Sequence, residues 1–453
     1  MLGKEFLKKA VILENSNLRT AMISIKSTGL NMAVVVNNHD HVVGVITDGD
    51  IRKQLIINED LYESVTICMS KDFLFVIEGY KREEVLKLLD KKIHKIPVLN
   101  SKMNLVDIVG SGYSEPDSCI ISRARTPARV SLAGGGTDFT DYFMDQGGAG
   151  LSCTIAKYSH AVLRKRTDQK IKIYSHDFRQ RIEIDHVNDI QYDGKLDLIK
   201  AGVKLLNPKF GFELEIGCDF SPASGLGGSA SLLSSVIGCF NEFREYKLDR
   251  YAIAEYAFEA ERIELDIAGG WQDQYSTVFG GFNYLEFDRK HNIVMPIRLE
   301  SSNLREIEER LILCHTKQEH LGNIIQKDSN KKYCATAKQI KFNSERLKEI
   351  TSEMKRNLLR NRYDDFALLL GETWAIKKDG DSRVTNERLD EIYATALDAG
   401  ALGGRLLGTG GGGYFLFYTP PFYRYQVMGA LERLNLDPEG VILDQHGITS
   451  WRV

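Results

Sequence analysis

The sequence predicts a mixed α/β (α+β) chain in two parts, a small repeated module followed by a larger domain. Three observations carry this. The chain has 453 residues, more than one ordinary domain accommodates. Residues 1–112 hold two copies of a helix followed by two short apolar strands, and both strand pairs are displaced by the same 63 positions, 32 to 95 and 42 to 105. Beyond residue 120, glycine-rich turns alternate with apolar strands and an apolar-periodic helix.

A hydrophobic fraction of 43% and a charged fraction of 27% belong to a globular protein with ample core material. The net charge of -3 gives no footprint for nucleic acid or an acidic membrane. Seven scattered cysteines without a C-x-x-C pair favour reduced thiols over disulfides or zinc. No apolar run suits a signal peptide or a membrane span, so a cytoplasmic location is expected.

In the first copy, Ser16 is the expected N-cap of a helix ending at Gly29, before strands Met32–Val36 and Val42–Ile46. In the second, a helical stretch Lys81–Lys91 precedes Lys95–Leu99 and Leu105–Val109. Thr47 and Asp50 stand at a strand-to-helix junction, where a hydroxyl and a carboxylate three apart suit a ribose diol. They equally suit the ordinary work of capping the helix that follows. The repeat resembles a CBS-domain pair, and T-x-x-D is the adenosyl-ligand signature of that family. The resemblance implies an adenine nucleotide at Thr47 and Asp50, or a dimerising role that makes the protein a homodimer and needs no ligand. The equivalent positions in the second copy are Gly110 and Tyr113, so at most one such site survives. Residues 113–119, polar with Gly and Pro nearby, are the expected linker.

In the larger part, Pro222-Ala-Ser-Gly-Leu-Gly-Gly-Ser-Ala-Ser231 runs into Leu232, Leu233, Val236, Ile237 and Phe240, one face of a helix. Such a turn leaves backbone N–H groups unpaired at the positive end of the helix dipole, a site for phosphate. The competing reading is a flexible loop before a buried helix. The stretch is neither a Walker A sequence nor a G-x-G-x-x-G turn.

Three further stretches accompany it. Arg125-Thr-Pro-Ala-Arg129 leads through Val130–Ala133 into Gly134, Gly135, Gly136, Thr137 and Asp138, where glycines admit a polyhydroxylated ligand and Asp138 accepts from vicinal hydroxyls. The alternative is a glycine turn with Asp138 as a cap. Asp249 is the expected N-cap of a helix that carries Glu259, Glu261 and Arg262 towards its end; Gly269-Gly270 and then Asp273 follow. Each acid alone reads as a solvated helix charge or a cap, and Glu259 keeps that reading; the alternative for Glu261 and Asp273, flanking a glycine turn, is convergence on one cleft, one holding a metal and one acting as a base. Gly408-Thr-Gly410-Gly411-Gly412-Gly413 precedes an aromatic strand, Tyr414–Tyr418. Four successive glycines cost backbone entropy, so close approach of the main chain to a ligand is the expected reason.

Together these stretches resemble the GHMP family of small-molecule kinases over residues 120–453. R-x-x-P-x-R-x-x-x-x-G-G-G-T-D, P-x-x-x-G-L-G-x-S-A-S and G-x-G-G-G-G occur in family order. The resemblance implies a two-lobed kinase fold, about 120–300 and 301–453, with ATP and Mg²⁺ as cofactors. By resemblance Ser224, Gly225, Leu226, Gly227, Gly228, Ser229 and Ala230 cradle the ATP phosphates, and Ser229 with Glu261 holds the metal. Asp273 would take the proton, Arg129 would assist it, and Gly135, Gly136, Thr137, Asp138, Gly411 and Gly412 would bind the sugar. The wording of the first and third motifs is most similar to heptose 7-phosphate kinases, which phosphorylate an anomeric hydroxyl. The alternatives are an unphosphorylated-sugar kinase of fucokinase or galactokinase type, and a catalytically silent sensor. Two departures stand out: Gly228 replaces a serine common in the second motif, and Cys314-His-Thr-Lys-Gln-Glu319 replaces a Thr-Gly segment. Lys377, Lys378 and Arg383 are candidates for a substrate phosphate, or else an ordinary solvated loop.

Overall fold

The computed structural model describes residues 4–91, 93–110, 120–318 and 337–453. Contacts divide the chain into two compact units, Met1–Ser118 and Cys119–Val453. The expected linker, 113–119, lies outside the described residues, as does Glu319.

The repeat is real in three dimensions. Val11–Leu13 pairs in parallel with Met32–Val36, which pairs antiparallel with Val42–Thr47. Val76–Ile77, Lys95–Leu99 and Leu105–Gly110 do the same. Even the irregularity repeats: the register shifts between Val35 and Val36, and again between Val98 and Leu99. The connecting turns each place a residue with positive φ at the same offset, Asp40 at 61° and Met103 at 63°. One boundary differs from the sequence reading. Asn17, not Ser16, caps helix Leu18–Thr28, its side chain accepting from the Thr20 N–H. Asn and Ser serve that position about equally well, so local sequence cannot choose between neighbours.

The second unit is built on a long antiparallel pair, Ile121–Ala133 with Gly148–Lys165. Its ladder slips between Pro127 and Ala128, where proline has no N–H to donate. The sheet runs outward from Gly148–Lys165 through Phe212–Cys218, Ile171–Ser175 and Gln180–Ile184 on one side, and through Asn283–Phe287 and Asn292–Pro296 on the other. A second, antiparallel sheet orders Gly403–Leu406, Tyr414–Tyr418, Leu311–His315 and Asp437–Gly440. Tyr414–Tyr418 is buried at every position, which explains its unbroken apolar run. Val130, Leu132 and Leu151 of the first sheet share one core with Leu313 and Leu416 of the second and with Met354 and Phe366 of helices between them. The expected lobe boundary needs one correction. Leu443–Asp444 and Thr449–Arg452 pair with the first sheet, because their ladder partners, Gly148–Lys165 and Ile121–Ala133, are otherwise open edges there.

Candidate active site

The helix Gly228–Asn241 crosses the middle of this unit. Every residue from Ala230 to Asn241 is buried, not only the apolar face that the periodicity marks. Serines on the other sides make that possible: Ser231 Oγ meets Ser159 Oγ at 2.7 Å, and Ser235 Oγ donates to Ser159 O at 2.9 Å. At its mouth Gly227 takes φ 72°, a left-handed conformation that costs a residue with a Cβ, and no side chain caps the helix. The first helical bond runs from Ser231 N to Gly227 O, so the N–H groups of Gly228, Ser229 and Ala230 have no intrahelical acceptor. Ser224 Oγ, buried just before them, has no partner either. The flexible-loop reading therefore gives way to a fixed turn with free donors. The Gly228 departure has a local cause: a Cβ there would lie 3.2 Å from the Phe220 ring.

The helix Arg250–Phe258 is capped as expected by Asp249, whose carboxylate accepts from Ala252 N at 2.8 Å. It does not simply continue. Glu259–Glu264 forms a π-helical turn, a rare local widening found mostly at functional sites. That turn buries Glu261, which accepts from Gln274 Nε2 at 2.8 Å and lies 3.5 Å from the Arg262 guanidinium. Burial pushes the Glu261 carboxyl up, against the opposing pull of Arg262 and of hydrogen bonds from Gln274 and Ser229. Ser229 and Glu261, far apart in sequence, are thus neighbours, close enough for the serine hydroxyl to favour the ionised carboxylate.

Asp273 opens the next helix, Gln272–Phe279. Arg129, from the first long strand, grips it with two bonds of 2.8 Å, Nε to Oδ1 and Nη2 to Oδ2, and donates its remaining nitrogen to Gly225 O at 2.5 Å. One guanidinium therefore ties the carboxylate to the phosphate turn. Burial alone would raise Asp273, yet the Arg129 charge and bonds, with Arg262 beyond, hold it below the usual aspartate range. It stays ionised, and its proton affinity is modest. Asp138 is a third buried acid in the same cluster. It accepts from Gly136 N and Gln272 N, both at 3.0 Å; burial raises it, and the neighbouring Asp273 charge adds to that. Its Oδ2 thus satisfies the first amide of helix Gln272–Phe279, the capping work of the alternative reading, while each oxygen keeps a lone pair for a ligand.

Other expected site residues have different work. Thr137 is fully buried, and its hydroxyl bonds Gly134 O and Ala149 O at 2.8 Å while accepting from Ala149 N. It locks the glycine turn and leaves nothing for a sugar. The side chain of Leu226 is likewise a core group, and its carbonyl accepts from Arg129 N. Gly410 to Gly413 are buried: Gly411 N donates to Val384 O at 2.9 Å, and Gly413 O receives both Thr316 N and Thr316 Oγ1. Close approach is indeed the reason for these glycines, but Gly411 approaches its own chain. Thr316, in the segment that departs from the family pattern, is the clamp. Thr47 and Asp50 form a reciprocal cap, Thr47 N to Asp50 Oδ2 at 3.0 Å and Asp50 N to Thr47 Oγ1 at 3.2 Å, which is the capping alternative.

Sequence reading assigned no role to Gln274, Arg262 or Arg405. All three are close to buried, and Gln274 Oε1, Arg262 Nε and Arg405 Nε each lack a partner. Such orphaned polar atoms are costly and rare, and here they gather around the three acids and the phosphate turn. No periodicity marks them; their only signal is adjacency to quoted motifs.

A free-amide helix mouth, a buried acid beside its serine and an arginine-bound aspartate together define a phosphoryl-transfer site. The family signatures described as GHMP kinases N terminal domain and GHMP kinases C terminal match residues 197–281 and 354–432, and that described as CBS domain matches 6–57. The chain belongs to the GHMP kinase family and is an ATP-dependent sugar kinase, a phosphotransferase, which sets aside the silent-sensor alternative. It is 35% identical over 337 residues to the D-glycero-alpha-D-manno-heptose 7-phosphate kinase of Campylobacter jejuni, a match spanning 73% of this chain and 99% of that one. It is 26% identical to the L-fucokinase/L-fucose-1-P guanylyltransferase of Bacteroides fragilis, over 68% of this chain and 36% of that one. Among solved structures, a D-glycero-D-manno-heptose 1-phosphate kinase from Bacteroides thetaiotaomicron superposes with TM-score 0.61 and 26% identity, covering 73% of this chain and 99% of that one. Among the described residues no helix is long and apolar enough to cross a membrane.

Proposed function

We propose that the protein transfers the γ-phosphoryl group of ATP to the anomeric hydroxyl of D-glycero-α-D-manno-heptose 7-phosphate. The observation that carries this reading is the 35% identity with a kinase of that substrate along 99% of its length. The converging site supports it. Free amides of Gly228, Ser229 and Ala230, with Ser224 Oγ, receive nucleotide phosphates at the positive end of a helix dipole.

The donor set fits Mg²⁺. Ser229 and Glu261 offer two hard oxygens side by side, and no cluster of three His, Cys, Asp or Glu ligands exists among the described residues. Mg²⁺ is usually held by one or two carboxylates with substrate phosphates and water. When bound it would neutralise charge on the β- and γ-phosphates.

Asp138 accepts sugar hydroxyls. Asp273 orients the anomeric hydroxyl and receives its proton as the new O–P bond forms and the bond to the ADP oxygen breaks, the electron pair leaving with ADP. Because Arg129 depresses the aspartate, the proton moves late, after bonding to phosphorus has made that hydroxyl acidic. Asp273→Asn keeps the shape and removes the acceptor. Turnover should fall about a thousandfold or more with ATP affinity retained. Residual activity within tenfold of the parent would remove Asp273 from this role. ADP release with the heptose phosphate, its dephosphorylated form, fucose and galactose tests the acceptor: faster turnover of an unphosphorylated sugar would move the protein to the fucokinase or galactokinase type.

A further inference from the structure

Of the three basic residues that sequence reading offered for a substrate phosphate, two are already neutralised. Arg383 is paired with Asp381 at 2.7 Å, and Lys378 with Asp390 at 3.2 Å. Lys377 is different. Its ammonium donates to a main-chain carbonyl, Gly408 O, at 2.5 Å, and among the described residues no carboxylate pairs with it. It stands one helical turn after Thr373, on helix Tyr363–Gly380. Thr373 Oγ1 is in turn a partner of Arg405, at 3.4 Å.

Among the described residues Arg405 is also without a counter-ion. Only 5% exposed, it donates to Leu132 O at 2.8 Å and leaves Nε unsatisfied. The third cation nearby, Arg129, already occupies both oxygens of Asp273. Among the described residues the nearby carboxylates are therefore taken: Asp273 by Arg129, Glu261 by Gln274 and Arg262, and Asp138 by the amides of Gly136 and Gln272, which leaves Lys377 and Arg405 with none. Buried charge in such excess is costly without an anion. The energetic signature agrees: burial first, then the Arg405 and Arg129 charges, hold Lys377 well below the usual lysine range. Burial and Arg129 likewise bring Arg405 down to about 10.

The place of the cluster says which anion. Arg129 bonds Gly225 O of the phosphate turn and Asp273 at once, and Tyr414 N, beyond the glycine run that Gly408 begins, bonds Ser224 O at 3.3 Å. Arg129 is bounded by the phosphate turn on one side and the proton acceptor on the other, and Gly408, the partner of Lys377, abuts that turn, a Cβ on Gly225 lying 3.0 Å from Gly408 N. A phosphate on the far end of a sugar, many bonds from its anomeric oxygen, does not lie there.

We propose that Lys377 and Arg405, with Arg129, form a buried cationic receptor for the γ-phosphoryl group of the nucleotide, and that Lys377 touches that group during transfer. The inference rests on the reading of Asp273 and the phosphate turn as the reaction centre, but not on the identity of the sugar.

The test compares Mg·ADP with Mg·AMP-PNP, which differ in the terminal phosphoryl group, on the full-length protein by titration calorimetry. The parent should prefer the γ-bearing nucleotide. Lys377→Met should erase about tenfold to a hundredfold of that preference while leaving ADP affinity unchanged. A second readout needs no variant: closing an anion onto Lys377 restores its proton. Binding of AMP-PNP from neutral to alkaline pH should therefore take up a proton, seen as an enthalpy that varies with buffer ionisation, and ADP should not. Equal weakening of both nucleotides, unchanged preference, or uptake with ADP alone would overturn the proposal. So would a loss confined to the KM of a phosphorylated sugar. Binding is measured without an acceptor, so failure of the heptose assignment leaves this result standing or falling by itself.

Discussion

Two glycine-rich turns lie beside one another at the site, joined by Tyr414 N donating to Ser224 O, and they do opposite things. The turn at 222–228 is partly exposed, ends on a left-handed Gly227 and leaves its amides free. The run at 410–413 is buried; Gly411 and Gly413 spend their amides on Val384 O and Gln318 O. A Cβ at Gly410, where φ is 115°, would sit 2.5 Å from Val384 Cβ. One stretch is glycine-rich so that a ligand can approach, the other so that the chain can approach itself at Val384, Thr316 and Gln318. Similar composition thus carries two different physical reasons, and only the partners of the amides tell them apart.

The contrast can be broken by substitution. The largest effect on folding should come from Gly410→Ala, which adds a clash and a strained φ worth about 3 kcal/mol together. Urea unfolding should register that loss, while the protein that remains folded keeps its nucleotide KM within about threefold, because no ligand-binding amide has moved. A large KM increase with unaltered stability would give the run a ligand role after all. Ser224→Ala should do the reverse with a smaller effect. Removing a buried hydroxyl without a partner costs the fold nothing, so the thermal midpoint stays level or rises, while nucleotide KM increases about tenfold through one lost hydrogen bond to a phosphate. A drop in midpoint without a KM change would reverse the assignment.

The smallest effect is one of pH. Asp273 is depressed in the folded state, so what its pair with Arg129 contributes is present above the unfolded aspartate value and is lost only as pH falls through the folded one. Between neutrality and the ordinary aspartate range, kcat/KM should show no acid limb from this group; the limb should appear below that range. An inflection at or above the ordinary value would mean that Arg129 does not hold the carboxylate in solution.

The small module makes a parallel point. Its repeat could be read to within a residue or so at the shared strands, because strand length, apolar pattern and turn chemistry are local, and the matching register shifts at Val35/Val36 and Val98/Leu99 follow from that likeness. The work of Thr47 and Asp50 could not be read so far. A hydroxyl and a carboxylate three apart serve a ribose or a helix end equally well, and in this fold they satisfy one another.

By itself the chain determined its two-part α/β plan, the helix mouth at Gly227, the cap at Asp249 and the family, because each depends on neighbours a few residues apart. Tertiary structure alone decided that Thr137 is a lock, that Gly411 is packing, and that a π-turn sets Glu261 against Ser229. It also decided that, among the described residues, Lys377 meets no carboxylate while Lys378, the next residue, meets Asp390. Each of these is a matter of which groups from distant segments meet out of water, where an unpaired charge or donor is costly, and spacing along a sequence does not encode that meeting.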